Sequence, residues 1–252
     1  MLFARSFVSL CSLLTVAAAS RGIIKHEGKP IGKEIEYDGV TLYITEPKRP
    51  SKDDVAVIYL TDVFGLPLLQ NKLLADSFAR AGFLTVTPDI LFGDPAPHDI
   101  EFNGGEYLSR HTPENTDPII EKTINYVHNQ LRISKVALTG YCFGGRYAFR
   151  FLAEGRGGDV GFAAHPSYLQ DSEILAITGP ASVAAAEVDN LLNATRRSEL
   201  EALLGDTPQP FQVNLYSGTS HGFGTRANVS DPQQRYGKEE AFWQAVHWFN
   251  NW

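Results

Sequence analysis

The segment VALTGYCFGGRYAFRFLAE, residues 136–154, decides the fold of this chain. Its apolar first part is typical of a buried strand and stops at Gly140, Cys142 follows, and a helix-like segment runs on through Gly144. The pattern G-x-C-x-G predicts a sharp turn from strand to helix that lifts the cysteine side chain above a sheet. Glycines two residues to either side leave room for such a strained turn.

Cys142 would lie at the N-terminus of the helix that this turn starts. Backbone N–H groups and the helix dipole favour negative charge there. They would stabilise a thiolate and a developing oxyanion, as a catalytic thiol requires. The alternative interpretation is that Cys142 is a small buried apolar residue, as free cysteines often are. Candidate partners at later strand ends favour the catalytic interpretation.

Strands and helices alternate along most of the chain. Continuous apolar runs such as VAVIYL are typical of strands buried on both faces. The alternation predicts an α/β fold with a mostly parallel sheet covered by helices on both faces, and such sheets bind ligands at the carboxyl ends of their strands. The predicted strands lie at residues 34–47 (a hairpin turning at Asp38 and Gly39), 55–60, 83–89, 135–140, 160–165, 181–189 and 211–218. The predicted helices lie at residues 68–82, 113–131, 143–154, 190–204 and 235–252, and residues 93–113 form a long excursion.

A thiol, a carboxylate and an imidazole each follow a predicted strand. They belong to Cys142, Asp189 and His221, in that chain order. This is the nucleophile, acid and base order of α/β-hydrolases. Because the carboxyl ends of parallel strands meet at one edge of a sheet, we expect the three side chains to form one catalytic unit.

Other residues compete for these roles. Glu187 rivals Asp189 as the acid, but it falls within the predicted strand rather than at its end. Ser220 stands in a second match, G-x-S-x-G, but the sequence after it predicts no helix, so the strand–turn–helix context is missing. Among the remaining histidines, His165 is the one that also falls at a strand end and could line the site.

Composition excludes some classes of partner. The chain has 252 residues, of which 43% are hydrophobic, and this suits one globular domain or at most two small ones. Its net charge of −7 gives no basic surface, so we expect no nucleic-acid partner. No histidine pair has metal-ligand spacing and no dinucleotide-binding glycine pattern is present, so we expect no metal and no cofactor. We expect a monomer that binds a small-molecule substrate.

The N-terminus differs from the rest of the chain. Residues 1–20 combine one arginine, a short apolar core and a small-residue end, Ala17–Ala19, which predicts a secretory signal peptide. A single mature domain would then span residues 21–252 and enter the secretory pathway; a cytoplasmic location is the alternative. Sequons at Asn193 and Asn228 could be glycosylated there. No later segment is long and apolar enough to form a transmembrane helix, so no membrane contact is expected.

Five motifs together resemble the dienelactone hydrolase family, and most closely its fungal branch. They are TDVFGL, TPDILFG, GYCFGGRYA, AAEVDN and SGTSHGF, in this order and spacing. The resemblance implies an α/β-hydrolase fold, hydrolysis of esters or lactones, and no cofactor. It also implies Cys142 as nucleophile, His221 as base and Asp189 as its orienting acid. The backbone N–H groups of Val63 and Phe143 would form the oxyanion hole.

Two features depart from the bacterial members of that family. Those members bind a substrate carboxylate with two arginines, whereas the loop ILFGDPAP has none and Thr225 occupies the second place, with Arg226 one residue further on. We therefore expect carboxylated substrates to be poor ones, with Arg226 as a substrate-binding candidate. Asp62 stands where the family has a glutamate that is proposed to pair with the resting thiol. Asp62 is thus a candidate for gating the thiol, or else a loop residue that caps the following turn.

The sequence predicts a hydrolase of carboxylic esters or lactones that works through a thioester. Its physiological substrate could be an intermediate of secondary metabolism. A non-catalytic protein that binds a small molecule in the same pocket is the alternative from another class. Redox sensing through Cys142 is disfavoured, because loss of Cys11 with the signal peptide would leave no resolving cysteine.

Overall fold

The computed structural model describes residues 22–50, 54–97 and 104–252. The predicted signal peptide and Cys11 lie outside the described residues, so secretion and the extent of the mature domain stay predictions. Within the described ranges, no helix has the length and apolar character needed to cross a membrane.

Eight strands form one sheet in the order β1-β2-β4-β3-β5-β6-β7-β8. The pairs β1–β2 and β2–β4 are antiparallel, and every other pair is parallel. The strands are β1 (Lys33–Tyr37), β2 (Val40–Thr45), β3 (Val55–Leu60), β4 (Leu84–Pro88), β5 (Lys135–Tyr141), β6 (Val160–Ala164), β7 (Ala181–Val188) and β8 (Phe211–Ser220). The predicted, mostly parallel α/β sheet is confirmed.

Helices cover both faces of this sheet. Along β3, Ile58 and Leu60 point into one apolar core, while Val57 and Tyr59 point into the other. Helices α3 and α4 pack on the first face, and α1 and α8 on the second. The helices are α1 (Leu69–Arg80), α2 (Gly104–Arg110), α3 (Pro113–Asn129), α4 (Phe143–Arg150), α5 (Asp171–Leu175), α6 (Ala194–Gly205), α7 (Phe223–Arg226) and α8 (Pro232–Asn251).

The N-terminal hairpin forms at the predicted turn. Tyr37 pairs directly with Val40, so only Asp38 and Gly39 connect β1 to β2. Both turn residues have positive φ angles, 49° and 75°. Two-residue hairpins favour such turns because their twist matches the twist of the strands, and Asp-Gly adopts them easily.

The turn between β5 and α4 is as sharp as the glycine pattern predicts. Cys142 sits at φ 54° and ψ −114°, and α4 begins at the next residue. A Cβ on Gly140 would lie 2.2 Å from the carbonyl oxygen of Gly144, and a Cβ on Gly144 would lie 2.2 Å from that of Leu60. Real side chains do not approach backbone so closely, and this is why glycine is needed at both positions.

Several elements around this frame differ from the predictions, and one of them is α5, because no helix was predicted at Asp171–Leu175. The excursion at residues 93–113 contains α2, which its Gly-rich and Pro-rich composition did not indicate. Helix α4 ends at Arg150 instead of continuing to 154, because Ala153 forms an isolated antiparallel bridge with Ile177. Tertiary pairing thus outweighs the local helical pattern at that end.

A further difference is the one-turn helix α7, which follows His221 where the sequence predicted none. It starts after Gly222, whose φ is 90°, and the Lys238 ammonium on α8 donates a hydrogen bond to the Thr225 carbonyl at its end. Ser220 is the last, exposed residue of β8. The helix is therefore supported by a side chain distant in sequence, which a local pattern does not reveal.

We predict that Gly144→Ala lowers the free energy of unfolding by about 1–3 kcal/mol or more, because the new methyl group would displace the Leu60 carbonyl. Gly205→Ala is the matched control, since a Cβ there meets no atom within 4 Å, and it should change stability by no more than about 0.5 kcal/mol. Urea unfolding of both variants checks this. Equal stabilities would contradict the steric account of the turn.

Candidate active site

Three polar side chains form an unbroken line at the carboxyl ends of β5, β7 and β8. The Cys142 Sγ lies 3.1 Å from the His221 Nε2, and the His221 Nδ1 lies 2.8 Å from the Asp189 Oδ2. A carboxylate only accepts hydrogen bonds, so Nδ1 carries a proton and Nε2 faces the sulfur. The structure therefore brings together the three side chains that the sequence proposed as one unit.

The backbone of Cys142 is fixed on several sides. Its N–H donates to the Ala164 carbonyl at 3.1 Å, and its own carbonyl accepts hydrogen bonds from the N–H groups of Gly145 and Ser167, both at 3.0 Å. Its side chain is buried and ends at the first turn of α4. The strained φ angle is thus held by the surrounding hydrogen bonds, which is the usual condition for strain at a functional site.

His221 favours its protonated form. Burial opposes the charge, but the hydrogen bond that Nδ1 donates to Asp189 and the contact of Nε2 with the Cys142 sulfur outweigh it and raise the pKa of His221 to about 10. The imidazole is thus a strong acceptor for the proton of a thiol beside it. The arrangement is chemically suited to a thiolate–imidazolium pair.

Asp189 is positioned by its own loop. Its Oδ1 accepts hydrogen bonds from the N–H groups of Leu191 and Leu192, at 2.8 and 3.0 Å, and this leaves Oδ2 for His221. The rival acid Glu187 is exposed and accepts a hydrogen bond from the Gly218 N–H instead. The carboxylate at the strand end, rather than the one within the strand, meets the imidazole.

The two backbone N–H groups suggested as an oxyanion hole border the thiol. Phe143 is the first residue of α4, and Val63 follows β3 at the point where the Gly144 N–H donates to the Thr61 carbonyl at 3.0 Å. Within the described residues, neither the Val63 N–H nor the Phe143 N–H donates a hydrogen bond to another group. Both donors are free to meet a substrate oxygen.

The long excursion holds Val63 in place. The Val63 carbonyl accepts a hydrogen bond from the Ala96 N–H at 2.7 Å, and the Tyr107 hydroxyl lies between the Asp94 carbonyl, at 3.0 Å, and the Val63 carbonyl, at 3.3 Å. The preceding peptide is also fixed, because the Asp62 carbonyl accepts from the Gly65 N–H at 3.0 Å. Both peptide planes that flank Val63 are therefore immobilised, and no sequence motif indicates this role of α2.

Asp62 and Arg226 meet each other. The Asp62 carboxylate is fully buried and accepts hydrogen bonds from the Arg226 Nε at 3.2 Å, the Asn71 side-chain amide at 2.9 Å and the Phe64 N–H at 3.2 Å. Burial raises the pKa of Asp62, while the contacts with Asn71 and Arg226 oppose that rise. The bond to the Phe64 N–H matches the capping alternative.

The partners of the thiol differ from those that the Asp62 hypothesis supposes. Among the side chains that the structure describes, His221 and Ser167 lie within hydrogen-bonding distance of the Cys142 sulfur, and Asp62 does not. The Arg226 guanidinium also stacks 4.7 Å from the centre of the Phe64 ring. Arg226, the substrate-binding candidate of the sequence analysis, is therefore already engaged within the protein.

Ser167 is a polar residue at the site that the sequence analysis missed. Its Oγ lies 3.3 Å from the Cys142 Sγ and 3.4 Å from the His221 Nε2. It comes two residues after His165, which the sequence did place at a strand end. The only available signal was this proximity to the end of β6, because no motif marks a serine there.

His165 itself packs behind the His221 imidazole. The two ring centres are 5.0 Å apart, and the side chain is fully buried. Burial, followed by the charges of His221 and Arg226, holds the pKa of His165 well below its usual range, so the ring is neutral. In the part of the chain that the structure describes, neither ring nitrogen has a hydrogen-bond partner. His165 is thus an uncharged wall of the site.

A cavity of about 510 Å³ adjoins these residues. It lies between the loops that follow β6 and β7, so its walls include Tyr168 and Asn190, the neighbours of Ser167 and Asp189. Its single arginine, Arg196, is already engaged by acidic side chains. In the described ranges, no three His, Cys, Asp or Glu side chains are grouped to hold a metal ion.

A strained strand-to-helix turn at a cysteine and a carboxylate–imidazole–thiol line at the edge of a mostly parallel sheet are typical of the α/β-hydrolase fold. The model of the dienelactone hydrolase family matches residues 40–252, and the chain belongs to that family. It is therefore a hydrolase of the ester and lactone class, as the sequence resemblance predicted.

Several fungal proteins are similar over nearly the whole length. Hydrolase pyvD of Aspergillus violaceofuscus is 38% identical, with 90% of this chain and 93% of the relative covered. Hydrolase tropI of Talaromyces stipitatus is 37% identical with the same coverage. Dienlactone hydrolase 1 of Gibberella moniliformis is 26% identical, with 90% of each chain covered.

Solved structures share the fold at low sequence identity. A Klebsiella pneumoniae protein assigned to the dienelactone hydrolases superposes with a TM-score of 0.72 at 14% identity, covering 88% of this chain and 99% of the other. An esterase of Thermogutta terrifontis superposes with a TM-score of 0.60, also at 14% identity, covering 86% and 94%. These likenesses establish the fold.

We predict that Tyr107→Phe lowers kcat for ester hydrolysis by about 2- to 10-fold with little change in KM, because the hydroxyl that links α2 to the Asp94 and Val63 carbonyls is lost. Tyr126→Phe is the control, since that tyrosine packs against Tyr37 on β1. Steady-state kinetics of both variants provide the measurement. A fall in kcat of the same size in both would show that Tyr107 has no specific role in holding Val63.

Proposed function

We propose that this protein hydrolyses uncharged carboxylic esters or lactones with Cys142 as the nucleophile. The observation that carries the proposal is the continuous hydrogen-bonded line from the Cys142 sulfur through His221 to Asp189. Such a line serves a thiol that must lose its proton to an oriented base.

In the first half of the reaction, the His221 Nε2 takes the proton of the Cys142 thiol and the sulfur attacks the carbonyl carbon. The electron pair of the C=O bond moves to oxygen, and the N–H groups of Val63 and Phe143 donate to the resulting oxyanion. When the intermediate collapses, the bond to the alcohol oxygen breaks and His221 returns its proton to that oxygen. A thioester remains; with a lactone, the alcohol stays attached to the acyl group.

In the second half, water replaces the alcohol. His221 takes a proton from a water molecule, whose oxygen attacks the thioester carbonyl. The carbon–sulfur bond then breaks, the carboxylic acid leaves, and the sulfur recovers a proton from the imidazolium. Asp189 stays ionised throughout, because its role is to hold the Nδ1 proton and the orientation of the ring.

The arrangement of charges supports an uncharged substrate. Arg226 is paired with the fully buried Asp62, so its charge is largely neutralised before any substrate arrives. Pulling Arg226 away would leave a buried carboxylate without its partner, and this carries a large energetic cost. A substrate carboxylate would have to compete with that internal pair.

We expect Cys142→Ala and His221→Ala each to lower kcat on an activated ester by on the order of 10³-fold or more, and the double variant to lose little beyond the worse single one. The reason is that the two side chains act in the same steps. His247→Ala is the control, because that histidine is exposed on α8.

Time courses of alcohol release, with an initial burst followed by steady turnover, provide the measurement. Multiplicative losses in the double variant would count against a shared unit. Binding of the ester without any release of alcohol would show that the protein is a binder and not a hydrolase.

The charge of the substrate provides a further test of this proposal. We expect the parent enzyme to favour the methyl ester of a carboxylated lactone, or to treat acid and ester alike, in kcat/KM. Asp62→Asn should raise the acid-to-ester ratio by roughly 10-fold, because it frees Arg226 for a charge-assisted hydrogen bond. Using the ratio removes any general effect of Asp62 on the neighbouring Val63.

The control is the double variant Asp62→Asn/Arg226→Gln, in which the gain should vanish. A preference of the parent enzyme for the acid by roughly a hundredfold or more would refute the uncharged-substrate proposal. An unchanged ratio in Asp62→Asn would show that Arg226 does not reach the substrate.

A further inference from the structure

Ser167 makes a contact that the reaction described above does not use. Its hydroxyl oxygen lies 3.3 Å from the Cys142 Sγ and 3.4 Å from the His221 Nε2, and the residue is 2% exposed. For a large atom such as sulfur, 3.3 Å is a close contact. For nitrogen, 3.4 Å exceeds the usual range of about 2.7–3.2 Å. The hydroxyl is therefore better placed to donate to the sulfur than to the imidazole.

Main-chain contacts also fix the position of Ser167. Its N–H donates to the carbonyl of Cys142 itself at 3.0 Å, so the serine is tied to the nucleophile by main chain as well as side chain. The residues on either side of the Pro166–Ser167 pair, His165 and Tyr168, have positive φ angles of 39° and 56°. Two such residues in one short turn are uncommon, and strain of this kind persists where the surroundings impose it.

Packing of Pro166 against α4 further fixes the loop after β6. A Cβ on Gly145, in the first turn of α4, would lie 2.9 Å from both the Cα and the Cβ of Pro166. The loop after β6 is thus pressed against the helix that begins with the nucleophile. The position of the Ser167 hydroxyl is set by this packing and does not depend on a bound substrate.

We propose that Ser167 is a catalytic residue that donates a hydrogen bond to the Cys142 thiolate. When the thiol proton moves to the His221 Nε2, the sulfur becomes an anion that accepts from both the imidazolium and the Ser167 hydroxyl. The hydroxyl keeps its own proton throughout and breaks no bond. A hydrogen bond to a charged acceptor is roughly twice as strong as a neutral one, so the contact favours the thiolate over the thiol.

The contribution falls on one half of the reaction. A thioester sulfur carries no charge and is a weak acceptor, so the hydroxyl has little to stabilise while water attacks the thioester, before the carbon–sulfur bond breaks. Formation of the thioester should therefore depend on Ser167 more than its hydrolysis does. This inference rests on the proposed function in one respect, namely that Cys142 is the nucleophile.

The other titratable groups around the sulfur keep their main partners when Ser167 is changed, since Ser167 touches His221 alone among them and only at 3.4 Å. His221 faces it from the loop after β8, with Asp189 behind the ring and the neutral His165 beside it. Asp62, which follows β3, forms an ion pair with Arg226 of α7. A change in thiol reactivity in Ser167 variants would thus report the loss of the hydroxyl.

The test is the rate of alkylation of Cys142 by iodoacetamide between pH 6 and 9 in four proteins. These are the parent, Ser167→Ala, Ser167→Thr and Ser167→Val. Thr and Val have nearly the same shape and differ in the hydroxyl, so they separate hydrogen bonding from packing. At pH 6 we expect alkylation to slow by about 10-fold or more in the Ala and Val variants and by less than about 3-fold in the Thr variant.

Single turnover of an activated ester completes the test. We expect Ser167→Ala to slow thioester formation by about 10-fold and thioester hydrolysis by less than about 3-fold. Unchanged or faster alkylation in Ser167→Ala would overturn the proposal, as would equal losses in the Thr and Val variants. Failure of the proposed function would look different: Cys142→Ala would still hydrolyse esters, whatever the Ser167 variants do.

Discussion

The close approach of three backbone segments at the turn around Cys142 is the constraint on which the rest of the site depends. Gly140 and Gly144 leave no space for a side chain, so the first turn of α4 rests on the ends of β5 and β3. The same contact aligns the Gly144 N–H with the Thr61 carbonyl. One steric condition therefore brings the thiol, the start of a helix and the oxyanion loop after β3 into the same place.

Charge within this frame is kept in balanced pairs. His221 is held between an acid on one side and a thiol on the other, and both contacts favour its protonated form. Asp62 would be costly as an isolated buried carboxylate, and it is matched by Arg226, by the Phe64 N–H of its own loop and by the Asn71 side-chain amide on α1. Because His165 is neutral, it adds no third charge near the imidazole. The charges of Asp62 and Arg226 thus balance each other, and no charge on His165 opposes that of His221.

The parts of the site that follow strand ends could be predicted from the sequence, and the parts that depend on loop packing could not. Cys142, Asp189 and His221 each come directly after a strand, so alternation of strands and helices was enough to bring them together. Ser167 also follows a strand, but only the path of the strained loop after β6 turns its hydroxyl toward the sulfur.

Helices α2 and α7 show the same limit. Tyr107 on α2 contacts the Val63 carbonyl, more than forty residues away in sequence. The Lys238 ammonium on α8 donates a hydrogen bond to the Thr225 carbonyl in α7. No local pattern encodes such contacts. The pairing of Asp62 with Arg226 was missed for the same reason, since each residue was compared with the substrate or the thiol and not with the other.

The strain around the site indicates that it is assembled before substrate binds. Cys142, His165 and Tyr168 all have positive φ angles, and each such residue costs about 1–3 kcal/mol. They are held by linked hydrogen bonds: Cys142 to the Ala164 carbonyl, His165 to the Ala184 carbonyl, and Ser167 back to Cys142. Relaxing any one of them would disturb the others. Donors fixed in this way need no reorganisation when negative charge develops, and this is the condition under which hydrogen bonds stabilise a transition state most strongly.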